Sequence, residues 1–279
     1  MDITVAKDAG YCFGVRDAVN LAYDTAKKYG SVYMLGDIVH NEQVVKDLEK
    51  AGAKVVGDIS EIPDDSPVLF RAHGTKNNLW KEAKERNLNI IDATCPLVHE
   101  IHREVKHLEE EGRKIIIIGD HGHDEVIAIA DQVKKPLIVS SKAEAEAVRR
   151  MKRAGIVTQS TQMIENVQEV INVIMNKVYD LRFVNTICFP TKRNHEQIKD
   201  MAAENDIMII IGSFTSANSK RLTELSKQRN EKSYQVTCAE DLDISWFQGV
   251  ETVGISAGAS TPDYLIDEVK NKIQFISKG

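Results

Sequence analysis

Short apolar runs alternate with segments of helical period along nearly the whole chain, and the alternation repeats three times. In the first repeat, Ala18, Val19, Ala22, Ala26 and Tyr29 fall at helical spacing over residues 16–29. A strand is predicted over 31–37, a helix over 42–50 ended by Gly52, and a strand over 54–56. The run 67–74 reads as a strand leading into a glycine-marked loop. A helix over 77–86 and a strand over 89–95 follow it. In the second repeat, a helix over about 97–110 sets Leu97, Val98, Ile101, Val105 and Leu108 on one face. The run 113–123 is apolar without alternation, the pattern of a strand covered on both faces of a parallel sheet. A helix over 124–132, a strand over 136–140, a strand and loop over 154–161, a helix over 162–177 and a strand over 181–188 complete it. The third repeat has a helix from about 193, a strand over 206–213, a helix over 219–229, apolar runs at 234–237 and 251–260, and a helix over 262–276. It lacks one strand, which the N-terminal run leading to Cys12 is expected to supply.

Alternating strands and helices in this order predict an α/β protein with mainly parallel sheets. Three pseudo-threefold-related α/β lobes are expected around one site. Their expected bounds are 13–95, 96–187, and 188–279 together with 1–12. Polar loops follow the apolar strands at 36–40, 72–74, 119–123, 158–161, 213–218 and 258–260. In open α/β sheets ligands bind beyond the carboxyl ends of strands, so these loops are where a site is expected.

Composition narrows the function classes. The 279 residues are 42% hydrophobic and 28% charged, as in an ordinary globular protein. No stretch of 18 apolar residues exists, and the first dozen residues lack a charged-then-apolar leader pattern, so a cytoplasmic protein with no membrane partner is expected. A net charge of −6 argues against a nucleic-acid backbone as partner, though a small anion can be held by a few local groups.

The chemistry centres on cysteine. Cys12, Cys95 and Cys188 occupy matching places in the repeats, each at the expected end of a strand and before a helix. Counting 28 residues on from each reaches His40, His123 and Ser216. A thiolate near a helix N-terminus is stabilised as the anion. Three such thiols suit a metal centre, either zinc with a fourth ligand such as His123, or an iron–sulfur cluster with one iron left without a thiolate. The paired CxxC spacing usual for zinc is absent. Cys238 has no counterpart in the repeats and reads as a plain buried thiol.

The motifs GYCFGV at 10–15, VHN at 39–41, AHG at 72–74, DATCPLV at 92–98, GHDEV at 122–126, TQS at 158–160, SANS at 216–219 and GASTPD at 258–263 stand in one order. Together they resemble the 4-hydroxy-3-methylbut-2-enyl diphosphate reductase (LytB) family, from about residue 10 to 276. The resemblance implies a trefoil-like fold around a central [4Fe–4S] cluster held by Cys12, Cys95 and Cys188, with one iron lacking a protein ligand. It implies diphosphate binding by His40, His73, His123, Ser216, Asn218 and Ser260. It gives Glu125 the role of proton source and brings the Ser160 hydroxyl to the substrate alcohol. The implied reaction is reductive loss of an allylic hydroxyl, giving isopentenyl and dimethylallyl diphosphate, the last step of the methylerythritol phosphate route. A ferredoxin or flavodoxin is the implied electron donor. Two positions depart from the family pattern: Ser160 where threonine is expected, and Ala217 where a second serine is common.

Some choices rest on that resemblance alone. Glu42 sits 30 residues past Cys12 as Glu125 does past Cys95, so spacing does not choose between them. The resemblance chooses Glu125 and leaves Glu42 as an acid favoured by its helix dipole. His99, His102, His107 and His195 fall on predicted helices and are expected in solvent. A cluster-bearing diphosphate sensor without chemistry is the alternative function, and a zinc-dependent hydrolase a third.

Overall fold

The structure, a computed structural model, describes residues 1–278. In chain order its first elements are β1 (Asp2–Val5), α1 (Phe13–Tyr29), β2 (Val32–Leu35), α2 (Glu42–Lys50), β3 (Ala53–Val56), β4 (Pro67–Phe70), α3 (Asn77–Glu85) and β5 (Asn89–Asp92). Then come α4 (Pro96–Glu110), β6 (Lys114–Ile118), α5 (Asp124–Ala130), β7 (Leu137–Val139), α6 (Lys142–Ala147), β8 (Met151–Thr158), α7 (Ile164–Ile174) and β9 (Val178–Phe183). The chain ends with α8 (Phe189–Glu204), β10 (Ile207–Ile211), α9 (Ala217–Lys227), β11 (Ser233–Val236), β12 (Thr252–Ala257) and α10 (Asp263–Ile276).

Among the described residues the strands form three four-stranded sheets, ordered β3-β2-β4-β5, β7-β6-β8-β9 and β11-β10-β12-β1. Every strand pair is parallel. The same order recurs three times, and β1 takes the fourth place of the last sheet through the register Asp2↔Thr252 to Val5↔Ile255. The central strands explain why: all five residues of β10 are buried, and so are Ile115 to Ile118 of β6. Such strands lose too much in water to stand at an edge, so each takes a neighbour on both sides. The glycine closing each central strand donates its N–H to the next strand: Gly36 to Val56 at 2.9 Å, Gly119 to Val139 at 3.2 Å and Gly212 to Val236 at 2.8 Å.

The chain divides into two compact units. One comprises Met1–Arg16, Val39–Asp47 and the chain from Phe189 onward, and holds the sheet containing β10. Its core joins Ile207, Ile209 and Ile211 to Leu265, Val269 and Ile273 of α10. The other comprises Asp17–Ile38 and Leu48–Cys188 and holds the remaining two sheets. There Ile101, Val105 and Leu108 of α4 cover β6 and β8 on one side, while Val167, Val170 and Ile174 of α7 cover the other.

Two expectations need correction. The cysteines do not end strands: β5 stops at Asp92 and β9 at Phe183, and β1 at Val5. Single backbone bonds run on past those points, from Ala93 to Phe70 at 3.0 Å and from Val184 to Ile156 at 2.9 Å, but side chains break the regular ladder. Thr186 Oγ1 accepts the Thr158 N–H at 2.8 Å and donates to the Thr158 carbonyl at 2.6 Å, and Asp92 Oδ1 accepts the Thr94 N–H at 3.0 Å. The third helix bundle also starts earlier than 193, at Phe189, with Pro190 in its first turn where a missing N–H costs nothing.

Gly155 of β8 lies under Leu108, and a Cβ there would stand 2.9 Å from the Leu108 Cβ and 3.1 Å from both its methyl carbons. Leu108 is fully buried and cannot withdraw. Gly155→Ala is expected to lower stability by about 1–3 kcal/mol through overpacking. Urea unfolding followed by circular dichroism checks this; an unchanged midpoint refutes it.

Candidate active site

Each of Cys12, Cys95 and Cys188 stands one residue before a long helix, α1, α4 or α8, and each is partly exposed. Their backbones are anchored alike. The Cys12 N–H donates to the Ala259 carbonyl at 3.4 Å, that of Cys95 to Ala72 at 3.0 Å and that of Cys188 to Ser160 at 2.9 Å. The three acceptors lie in the loops after β12, β4 and β8, so the same bond is made once in each repeat. A thiol at such a helix start is favoured as thiolate by the partial positive charge there.

In the larger unit, Glu125 in the first turn of α5 is only 1% exposed. Its Oε1 accepts the Ser160 N–H at 2.6 Å and its Oε2 accepts the Ser160 hydroxyl at 2.7 Å. A carboxyl taken out of water needs such partners. Since the Ser160 carbonyl also holds Cys188, one residue ties the acid to a thiol-bearing backbone. Gln159 stiffens this loop: it accepts the Asp120 N–H at 3.0 Å and donates to Thr161 Oγ1 at 3.0 Å.

His123 caps α5, its Nδ1 accepting the Glu125 N–H at 3.2 Å. That bond places the proton of the neutral ring on Nε2, making it a donor. The His73 ring stands edge-on to it, centroids 5.7 Å apart at 83°. Arg71 clasps Asp124 at 2.6 Å, fixing the start of α5 to the strand end that leads to His73.

In the smaller unit, Ser216 caps α9 by accepting the Ser219 N–H at 3.3 Å. This helix end lies directly on the strands because Gly212 and Gly258 have no side chains. A Cβ on either would come within 2.2 Å or 2.1 Å of Ser219 Oγ. Asn218, 5% exposed, has neither Nδ2 nor Oδ1 bonded within the protein. It lines a cavity of about 400 Å³ together with Cys12, Thr191, Asn194 and Ala259. Ser260 donates its hydroxyl to the His40 carbonyl at 3.1 Å, and Asn41, not His40, caps α2 by accepting the N–H groups of Gln43 and Val44. Glu42 accepts the Ser213 hydroxyl at 2.7 Å. Burial raises its carboxyl pKa, but the bond from Ser213 leads a larger opposing set, with its own N–H, Thr215 and the charge of His40, and holds the group below its ordinary range.

The structure therefore brings Glu125, Ser160 and the Cys188 backbone together, sets His73 beside His123, places Asn218 and Cys12 on one cavity, and joins Ser260 to His40. The residues fit a polyatomic group. An unsatisfied buried amide faces a cavity with a thiol in its wall, and the volume exceeds what one ion fills. Among the described residues, no group of three or more His, Cys, Asp and Glu side chains gathers closely enough to hold a single metal ion.

Thr191 and Asn194 line that cavity but are absent from the expected site set, and His195 lies beside them on α8. All three are buried on α8 in line with Ile198, Met201 and Ala202. Polar residues on the apolar stripe of a helix were the available signal, and His195 was wrongly expected in solvent.

Parallel sheets with a thiol just before a helix in each repeat, and a buried acid bonded by a hydroxyl, define an α/β protein with reactive side chains in the loops beyond its strands. Comparison with known proteins makes this specific. The chain matches the LytB protein family over residues 3–274. It is 42% identical to the 4-hydroxy-3-methylbut-2-enyl diphosphate reductase of Geobacter sulfurreducens over 98% of this chain and 97% of that protein. It is 39% identical to the reductase of that name from Aquifex aeolicus, over all of this chain and 98% of that one. A solved structure of the reductase described as the terminal enzyme of the non-mevalonate pathway superposes with a TM-score of 0.71, at 38% identity, over 99% of this chain and all of that one. The Plasmodium falciparum reductase superposes with a TM-score of 0.93, at 28% identity, over 98% of this chain and 87% of that one. The chain belongs to the LytB family, whose members bind an iron–sulfur cluster. No helix among the described residues is long and apolar enough to cross a membrane.

His102 was also expected in solvent, yet it is buried on α4 between Val98 and Val105. Burial, then the nearby charges of His99 and Lys106, push its pKa down from 6.5 to about 4, with Asp92 opposing. The folded state then binds fewer protons than the unfolded chain between those values. Stability is therefore lost as pH falls from about 6.5 towards 4, by about 2 kcal/mol at pH 5 from this group. His102→Gln is expected to remove that part of the slope. Urea titrations at pH 7 and pH 5 check it; an identical loss in both proteins refutes it.

Proposed function

We infer that this chain reductively removes the allylic hydroxyl of 4-hydroxy-3-methylbut-2-enyl diphosphate. Two electrons and two protons enter; water leaves; isopentenyl and dimethylallyl diphosphate form. Full-length kinship to reductases of this name supports the reaction class. The observation that carries the chemistry is the buried Glu125 carboxyl bonded at both oxygens by Ser160.

Cys12, Cys95 and Cys188 are the ligands of a [4Fe–4S] cluster in this reading, which leaves one iron without a protein ligand. When bound, the cluster supplies the electrons and a Lewis-acidic iron. The protein's own part is positioning and proton delivery. His40, His73, His123, Ser216, Asn218 and Ser260 are the diphosphate contacts in this reading. They anchor a five-carbon substrate through its charged end, which fixes the reacting carbon and lowers the barrier.

Ser160 Oγ donates to Glu125 Oε2 at 2.7 Å in the free protein; for the reaction a protonated Glu125 reverses that bond and donates from Oε2. Ser160 accepts that proton while passing its own to the substrate hydroxyl, which departs as water instead of hydroxide. Burial keeps solvent from competing for the proton. Serine in place of threonine preserves this oxygen but loses the methyl group that restricts its rotamer. Ala217 removes one hydroxyl near Asn218 and weakens diphosphate binding modestly. A small carrier of ferredoxin or flavodoxin type is the electron donor. Exposed Phe13 and Phe189, each next in sequence to a ligand cysteine, offer it a contact surface.

A diphosphate sensor needs no buried acid, so Glu125 separates the two functions. Protein purified without oxygen is expected to contain iron and sulfide and to turn over substrate with dithionite and a viologen. Glu125→Gln is expected to keep the iron and sulfide and lose turnover about 100-fold or more. Absence of iron and sulfide, or turnover within a few-fold of the parent, overturns the reading.

A further inference from the structure

A second polar cavity lies in the larger unit, away from Glu125 and Ser160. It has a volume of about 350 Å³ and runs along one face of α3 and one face of α4. Lys84 stands on α3, with Arg103 and Lys106 on α4, and no acidic side chain is among its lining residues. His99 and His102 also face it. In a chain of net charge −6, this local excess of cations is not a property of the average surface.

A solvated basic helix face would account for the lysines alone. It does not account for two buried polar atoms. His102 is 9% exposed and Thr75 is 6% exposed, and no protein group bonds His102 Nε2 or Thr75 Oγ1. Leaving such atoms unsatisfied costs about 1–3 kcal/mol each, so they mark a place where a ligand supplies the missing partner.

Three acids outside the lining approach its rim, and only Glu100 meets one of the cations, at long range. Asp92 is bonded to His99 at 3.0 Å, Asp131 accepts the Asn77 N–H at 2.5 Å, and Glu100 approaches Arg103 at 3.9 Å. Trp80 forms the apolar wall, edge-on to Phe70 at 4.8 Å, with the Lys84 ammonium 5.9 Å from its ring centre.

We propose that this cavity binds a phosphate-bearing small molecule, with the oxyanion on Arg103, Lys106, His102 Nε2 and Thr75 Oγ1 and the organic body against Trp80. Arginine and lysine match phosphate oxygens, while a neutral imidazole and a hydroxyl donate without needing to change charge. The position gives binding a consequence. Thr75 is two residues past His73, and Gly74 between them lies so close to the His102 ring that a Cβ would stand 3.0 Å from its Cε1. An occupant that draws on Thr75 and His102 grips the loop that presents His73.

The chain has two tryptophans, Trp80 and Trp246. In Trp246→Phe, emission reports on Trp80 alone. Pyrophosphate titrated into this variant, purified without oxygen and carrying its cluster, is expected to change the emission saturably. Sodium chloride at equal ionic strength is expected to do nothing. Adding Arg103→Ala and Lys106→Ala, both at the solvent edge, is expected to weaken pyrophosphate binding about tenfold or more, the loss of one charge-assisted contact or better. Adding His73→Gln instead is expected to leave the Trp80 response in place. No saturable response, an equal response to chloride, or an unchanged affinity in the Arg103/Lys106 variant overturns the proposal. A response lost only with His73→Gln assigns the signal to the diphosphate contacts and overturns it as well.

Discussion

One backbone hydrogen bond, made three times, sets where the chemistry of this protein can stand. It runs from the N–H of each motif cysteine to the carbonyl at the loop of the adjacent strand. The acceptor is never far from a polar group. His73 follows Ala72, Ser260 follows Ala259, and at Cys188 the acceptor is Ser160 itself. A thiol and its companion side chain are therefore held at a fixed separation by backbone, which moves far less than side chains do. Placing the cysteine beyond the strand also frees its thiol from the strict alternation of faces that a strand imposes. The helix that starts at the next residue then supplies the partial charge a thiolate wants.

The order of elements was readable because parallel strands covered on both faces carry no polar residue to confuse the count. Ile115 to Ile118 and Ile207 to Ile211 announce themselves. Strand ends were harder, since Thr186 meets Thr158 with its side chain while single backbone bonds run on from Ala93 and Val184. Nothing in an apolar pattern reports that substitution. The helices misled in another way. His102 fits the stripe Val98, Ile101, Val105, Leu108, and His195 fits that of Ile198, Met201 and Ala202. Both were legible as buried by position and misread because histidine is polar.

The same reasoning explains why motif order pointed to site residues that spacing could not rank. Gln159 acts by bonding to its loop, a role that leaves no period in the chain, and Thr191 and Asn194 share their period with the ordinary apolar stripe of α8. Cysteines and histidines at equal intervals stand out. A repeated scaffold thus advertises its repeated positions and hides the ones unique to a single copy.

The position 30 residues past each motif cysteine shows how the copies diverged. It holds Glu42, Glu125 and Asn218. A group that delivers a proton to a leaving hydroxyl must keep that proton at neutral pH, which requires shelter from water and a partner for the neutral acid. Glu42 is exposed, and its hydrogen bonds hold it below the ordinary carboxyl range, so it stays ionised. An amide such as Asn218 has no acidic proton to give; its Nδ2 can donate hydrogen bonds to an anion instead. Of the two carboxylates only Glu125 is sealed from solvent, with both of its oxygens on Ser160. Burial, not spacing, is the property that separates the two carboxylates.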